Sequence, residues 1–366
     1  MQKPPTPVLV IGAGNIGQMI AALLTDTNEY AVTLMDQSEA VLARSETHPL
    51  LTRCVQAIEP HDALVKLMQR HQAVISAAPF SVTERIAKAA CEAQVHYLDL
   101  TEDVAMTKAV MSLSGKTKAA LIPQCGLAPG FISIVGMDLA RHFEKLDTLR
   151  LRVGALPEFP SNALGYNLTW STAGVINEYC QPCEAIVGGN LTSVPALEEL
   201  EHFALDGIQY EAFNTSGGLG TLCESLAGKV RNLNYRTIRF PGHRDAMKLL
   251  LQDLRLAERP SLLTEVIEYA IPKTDQDQVV IFATATGMRE GRIYQESYAH
   301  TVYPQKHAQQ QWTAIQTTTA SSVCAVLDLL MTGRLPQQGF VKQEDIRLQD
   351  FLANRFGRAY VSRRVA

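Results

Sequence analysis

Residues 8–17 read Val8-Leu9-Val10-Ile11-Gly12-Ala13-Gly14-Asn15-Ile16-Gly17, and their order decides the fold. Four apolar residues form a strand, a G-x-G-x-x-G turn follows, and Gly17–Leu24 then has helical periodicity. Such a turn alone is a weak signal; between a strand and a helix it is specific. Gly12 permits the tight turn, Gly14 lets the backbone approach a pyrophosphate, and Gly17 lets the helix pack on the strand. Asn15 and Ile16 open the helix, where backbone amides favour an anion. The next strand, Ala31–Met35, ends at Asp36, nineteen residues after Gly17. A carboxylate there suits the two ribose hydroxyls of NAD and repels the 2′-phosphate of NADP. Arg44 is the nearest downstream arginine. The expected cofactor is therefore NAD rather than NADP. A dinucleotide fold that binds FAD, or has lost its ligand, is the alternative.

Val55–Ile58, Ala73–Ala77, His96–Leu100 and Ala119–Ile122 read as further short strands. Helical stretches such as Val82–Ala93 lie between them. This alternation predicts an α/β, Rossmann-type, doubly wound parallel sheet. Ala77, Ala78 and Pro79 follow the fourth strand, where small residues fit the ligand crevice; an ordinary strand-to-helix loop is the alternative. The texture changes after Cys125-Gly126-Leu127-Ala128-Pro129-Gly130, the candidate boundary. A helix is expected over Phe131–Phe143. Leu149–Val153 and parts of Ile293–Val302 then alternate with period two, which predicts a second α+β domain on a mixed or antiparallel sheet. Gly188-Gly189, Ser216-Gly217-Gly218 and Pro241-Gly242 are turn signals. Gln311–Met331 reads as a helix ended by Gly333.

The 366 residues allow about two domains as a soft prior. Apolar residues make 46%, charged residues 19%, and the formal net charge is −4, which exclude disorder and coiled coil. No basic stripe or charge block points to nucleic acid. The seven cysteines are odd in number and irregular in spacing, so no disulfide framework is expected. No signal-peptide core and no uninterrupted apolar run of membrane-spanning length is present. A cytoplasmic setting is the expectation. The tail beyond Arg347 becomes basic at its end, as solvated termini do.

Several segments together resemble the saccharopine dehydrogenase-like family, most closely its L-lysine 6-dehydrogenase branch. They are Val8–Gly17, Tyr97-Leu98-Asp99, Cys125–Gly130, Gly165–Ser171, Gly174–Tyr179, Val194–Leu197 and Tyr235–His243, in order along nearly the whole chain. The resemblance implies an NAD(P) oxidoreductase acting at a carbon–nitrogen bond of an amino acid, and a homodimer. The change of texture sets domains at 1–126 and 127–306, and the resemblance implies that 307–366 returns to the first. Ala128 stands where saccharopine reductases usually carry Asp, which is similar to the lysine 6-dehydrogenase branch. The expected reaction is oxidative deamination of the lysine ε-amine to 2-aminoadipate 6-semialdehyde. Saccharopine reductase and carboxynorspermidine dehydrogenase are alternatives within the family, and a non-catalytic NAD-binding sensor is the alternative outside it.

Amine oxidation needs a hydride acceptor, a proton acceptor and a clamp on the substrate. Asp99 ends the fifth strand and matches a catalytic aspartate of the family; a loop acid or helix cap is the alternative. Cys125 ends the sixth strand, and the resemblance places a cysteine near the substrate; a buried structural thiol is equally good, and no nucleophile is proposed. An amino-acid carboxylate suits a guanidinium. Arg236 and Arg239 fall on opposite faces of one strand, and the resemblance favours Arg236, with His243 as neighbour. Tyr166 and Trp170 are candidate pocket walls or core, and Asn214 opens a polar loop. Cys180-Gln181-Pro182-Cys183 lacks a second ligand pair, His202 being a lone candidate, so no metal site is expected.

Overall fold

Alternating apolar strands and helices build the first of two units in the computed structural model, residues 1–131 and 318–359. The structure describes residues 4–307 and 310–361. Met1–Lys3 at the start of the chain and the basic tail end at Arg363-Arg364 lie outside the described residues.

The unit holds β1 (Thr6–Ile11), β2 (Tyr30–Asp36), β3 (Leu51–Val55), β4 (Ala73–Ser76), β5 (His96–Asp99) and β6 (Ala120–Ile122). With a late strand, Gly339–Phe340, they form one sheet in the order 339–340, β6, β5, β4, β1, β2, β3. Every pairing in it is parallel. Central strands are uniformly apolar because helices cover both faces: Leu9, Val74, Tyr97 and Leu121 pack with Ile86, Ala87, Ala90 and Val110. The third strand is Leu51–Val55 and not Val55–Ile58. As an edge strand it carries exposed Thr52 and Arg53 and loses the apolar signature of its neighbours. The late strand of two residues, pairing Gly339 with Ala120, is too short to be read from sequence. The chain order reverses at β1, between β4 and β2, so a crevice opens beyond the carboxyl ends of these strands.

The second unit, residues 132–317 and 360–366, is built on a mixed sheet. Its strands are β7 (Lys145–Pro157), β8 (Cys183–Val187), β9 (Asn190–Val194), β10 (Glu201–Leu205), β11 (Ile208–Asn214), β12 (Val230–Arg239), β13 (Asp277–Arg289) and β14 (Arg292–Val302). The path runs β10, β11, β12, β7, β13, β14, with β8 and β9 added beside β12. β7 and β12 are parallel; the remaining pairs are antiparallel. Gly188 and Gly189 turn the β8–β9 hairpin with φ of 60° and 87°. A separate ribbon pairs β15 (Gln305–His307) with β16 (Gln310–Trp312). The following helix therefore begins at Ala314 rather than Gln311. Asp277, fully buried, accepts from the amides of Ala314 and Ile315 and supplies that helix start with its missing acceptor. This helix, Ala314–Met331, is the one described helix long and apolar enough to cross a membrane, but 78% of it is buried inside the chain.

Candidate functional site

The glycine turn has the geometry its spacing predicts. Gly12 has φ of 98°, and a Cβ there would lie 2.7 Å from the carbonyl oxygen of Ala77. A Cβ on Gly17 would lie 1.8 Å from the carbonyl oxygen of Gly12, so only glycine lets the helix Asn15–Thr25 close on the strand. A Cβ on Gly14 would meet nothing within 4 Å, so that side of the turn is open. Gly14 stands at the N-cap without a side-chain cap, and no acid occupies the first turn. The amides of Asn15 and Ile16 thus suit a diphosphate. Asp36 ends β2 beside them. Its Oδ2 accepts from the Ala13 amide at 2.9 Å and its Oδ1 from the Ser38 amide at 2.9 Å. The carboxylate is therefore fixed against the turn while keeping lone pairs for hydroxyl donors. The Ala77 amide donates to Ile11 at 2.8 Å, which seats Ala77, Ala78 and Pro79 along the same crevice.

Asp99 closes β5 at the same edge of the sheet, opposite Ser76 in the register. It is buried and accepts three hydrogen bonds: from the Tyr97 hydroxyl to Oδ2 at 3.0 Å, and from the Thr101 and Gln124 amides to Oδ1 at 3.0 and 2.8 Å. Burial outweighs these bonds and pushes the carboxyl up from 3.8 to about 6. That is the range of a group able to exchange a proton near neutrality. It is not a helix cap; Asp103 holds that place, accepting from Met106.

Cys125 follows Gln124 and is fully buried. Its thiol donates to the Ile122 carbonyl at 3.0 Å, and Gln343 Nε2 lies 3.2 Å from its sulfur and 2.9 Å from the Pro123 carbonyl. Burial drives the thiol well above 9, and the Asp99 charge adds to this. Cys125 is thus a neutral group that shapes the loop behind Asp99. Gln343 escaped the sequence reading because it lies 218 residues from its partner.

In the second unit the candidate substrate residues fall on two faces. Arg236 Nη2 donates to Glu199 at 2.7 Å, and Nη1 lies 3.1 Å from Glu201. Arg152 also pairs with Glu201 and stacks 4.9 Å over Phe282. Asn214 is the register partner of Arg236, shares its face, and donates to the Pro195 carbonyl at 3.4 Å. Arg236, the arginine expected to clamp a substrate carboxylate, is therefore paired with two carboxylates of its own chain.

Arg239 ends β12 on the opposite face and is buried to 2% exposure. Its guanidinium lies 5.2 Å over the Tyr166 ring and 5.8 Å over the Tyr179 ring. Nε donates to the Tyr179 hydroxyl at 2.9 Å and Nη1 to the Ile238 carbonyl at 2.9 Å. Among the described residues it makes no ion pair. Glu211, opposite it in the register, instead accepts from the amides of Gly242 and Arg244 at 2.8 and 2.7 Å. The helix Thr172–Cys180 delivers Tyr179: Ser171 caps it, and Val175, Ile176 and Tyr179 form its buried face. Trp170 packs on Gly174, where a Cβ would meet the indole at 2.4 Å, and belongs with Tyr166 to the same cluster. His243 has both ring nitrogens engaged, by Tyr179 at 3.0 Å and the Leu164 carbonyl at 2.9 Å. It stands behind Tyr179 and Arg239, with both ring nitrogens already partnered.

Cys180 is exposed and Cys183 buried in β8, where burial pushes the thiol up to about 12. His202 lies 4.0 Å from Glu211. Among the described residues no group of three metal-ligating side chains forms.

Residues 8–122 match the saccharopine dehydrogenase NADP binding domain, and residues 126–356 match the saccharopine dehydrogenase C-terminal domain. The chain is 25% identical over 194 residues to the mitochondrial alpha-aminoadipic semialdehyde synthase of Rattus norvegicus, covering 51% of this chain and 21% of that protein. It is 21% identical over 296 residues to saccharopine dehydrogenase (NADP+, L-glutamate-forming) of Pyricularia oryzae, covering 77% and 64% respectively. It thus spans less than two thirds of the length of either relative. The L-Glu-forming saccharopine dehydrogenase of Saccharomyces cerevisiae in its apo form superposes with a TM-score of 0.72 at 15% identity, over 93% of this chain and 94% of that one. That likeness shows the same fold. The chain belongs to the saccharopine dehydrogenase family.

Proposed function

Starting from membership of the saccharopine dehydrogenase family, we propose that this chain is an NAD-dependent L-lysine 6-dehydrogenase. It would oxidise the ε-amine to an imine that water hydrolyses to 2-aminoadipate 6-semialdehyde and ammonia. Gly12, Gly14, Asn15, Ile16, Gly17, Asp36 and the Ala77–Pro79 loop would hold the cofactor, which when bound supplies the hydride acceptor. Asp99 would take the ammonium proton through Oδ2, the oxygen with one hydrogen bond rather than two. NAD is preferred because the Asp36 carboxylate is fixed where a 2′-phosphate would be repelled. A cytoplasmic homodimer is the accompanying proposal.

The single observation that carries lysine is the count of uncommitted guanidinium groups. Arg152 and Arg236 are ion-paired with Glu199 and Glu201 and Arg244 with Asp245, which leaves Arg239 as the buried arginine of its unit that makes no ion pair among the described residues, the Glu178 charge acting on it through space. One such group suits a substrate with one carboxylate. Saccharopine carries three. Saccharopine is nevertheless the second reading, because it is named by the relatives themselves. The experiment is to supply NAD with L-lysine, and in parallel with saccharopine, and to follow NADH and ammonia. NADH and ammonia from lysine support the proposal; turnover of saccharopine alone overturns it.

A further inference from the structure

With His243 neutral, the hydrogen bonds around Arg239 allow one direction only. The Leu164 carbonyl can only accept, so the proton of His243 sits on Nδ1. Nε2 of His243 is then an acceptor, and the Tyr179 hydroxyl donates to it. The remaining lone pair of that hydroxyl accepts Nε–H of Arg239. Nη1 is held by Ile238, and Nη2 donates to no described residue.

We propose that Tyr179 and His243 are positioning residues which lock the Arg239 fork in one rotation, with Nη2 presented to a substrate carboxylate. This rests on the proposed role of Arg239 as the clamp. An arginine side chain has about four rotatable bonds, and fixing them before binding lowers the entropy lost on binding. The lock works only while His243 is neutral. A second proton would make Nε2–H a donor, so the Tyr179 hydroxyl would accept from both His243 and Arg239, lose its own acceptor there, and sit between two positive charges. Burial, and then the positive field of Arg239, hold the imidazole down at about 3. Of the charged and titratable groups facing Arg239, Tyr166, Tyr179 and Glu178 each favour its charged form. Tyr235 on β12 is buried near Glu178 and Tyr179. The lock therefore stays neutral at His243 and cationic at Arg239 across the working range of pH.

The test combines kinetics with a spectroscopic signature. Y179F and H243L should raise KM for L-lysine by about tenfold, with kcat changed less than about twofold. H243Q retains an acceptor and a donor at this place, and should restore KM to within about threefold of the parent. Binding of NADH, measured by fluorescence, should stay unchanged in all three, and a cooperative thermal unfolding transition in each shows that the second unit is folded. Nitrogen-15 spectra of the unaltered enzyme should show His243 as a single neutral Nδ1–H tautomer down to pH 5. A His243 that titrates near 6.5, or a Y179F enzyme with unchanged KM, would overturn the proposal. If L-lysine is not a substrate, the tautomer still decides the lock, because that measurement needs no turnover.

Discussion

Replacing Asp99 by asparagine isolates the ionisation on which the proposed chemistry depends. The new side chain would keep an oxygen for the Thr101 and Gln124 amides and turn its own amide towards the Tyr97 oxygen, so the loop retains its bonds. The unaltered carboxyl rises from 3.8 to about 6 in the folded chain. That is two tenfold steps in proton affinity, or about 3 kcal/mol. A folded value above the unfolded one means that the contribution is complete below about pH 4 and lost as pH rises through about 6. The parent enzyme should therefore lose about 3 kcal/mol relative to D99N between about pH 4 and pH 7. Urea unfolding of both proteins across this interval measures the difference. In activity, kcat/KM of the parent should fall with a slope of one below about pH 6, where the proton acceptor is already occupied. D99N should lose about 10²–10⁴ in kcat/KM and with it that limb. A pH-independent stability difference would refute the raised ionisation, and a D99N enzyme with normal turnover would refute the role as proton acceptor.

Arg239→Met should raise KM for lysine on the order of 100-fold with a smaller effect on kcat. Arg236→Met should leave KM unchanged and lower the melting temperature, because Glu199 and Glu201 lose their partner. Steady-state kinetics beside thermal unfolding separates the two. Asp36→Ser should improve kcat/KM with NADP at least about tenfold relative to NAD, measured with each cofactor in turn. Cys125→Ala should retain kcat/KM within about threefold while losing roughly 1 kcal/mol of stability. A Cys125→Ala enzyme without activity would show that the thiol takes part in the chemistry.

The dinucleotide unit was legible because its signals are local. A buried parallel strand is a run of apolar residues, and the glycine spacing reports contacts made within the same turn. The edge strand Leu51–Val55 was misplaced for the converse reason: with one wet face it looks like the loop beside it. The second unit was legible as alternation and turns, but not as a site. Strand parity places Arg236 and Arg239 on opposite faces, and nothing local says which face has glutamates waiting. Glu199 and Glu201 lie 37 and 35 residues from Arg236 and reach it only through the β10–β11–β12 pairing. Gln343 is hidden in the same way, reaching Cys125 through a late two-residue strand. Long-range register, rather than residue type, decides which charges are already neutralised.

The proposed reaction is oxidation of a primary amine on a substrate with one carboxylate. Its most direct test is the product of the enzyme incubated with NAD and ε-15N-labelled L-lysine. One equivalent of 15N-ammonia should appear for each NADH formed. NADH without labelled ammonia, or NADH formed only when saccharopine replaces lysine, would contradict it.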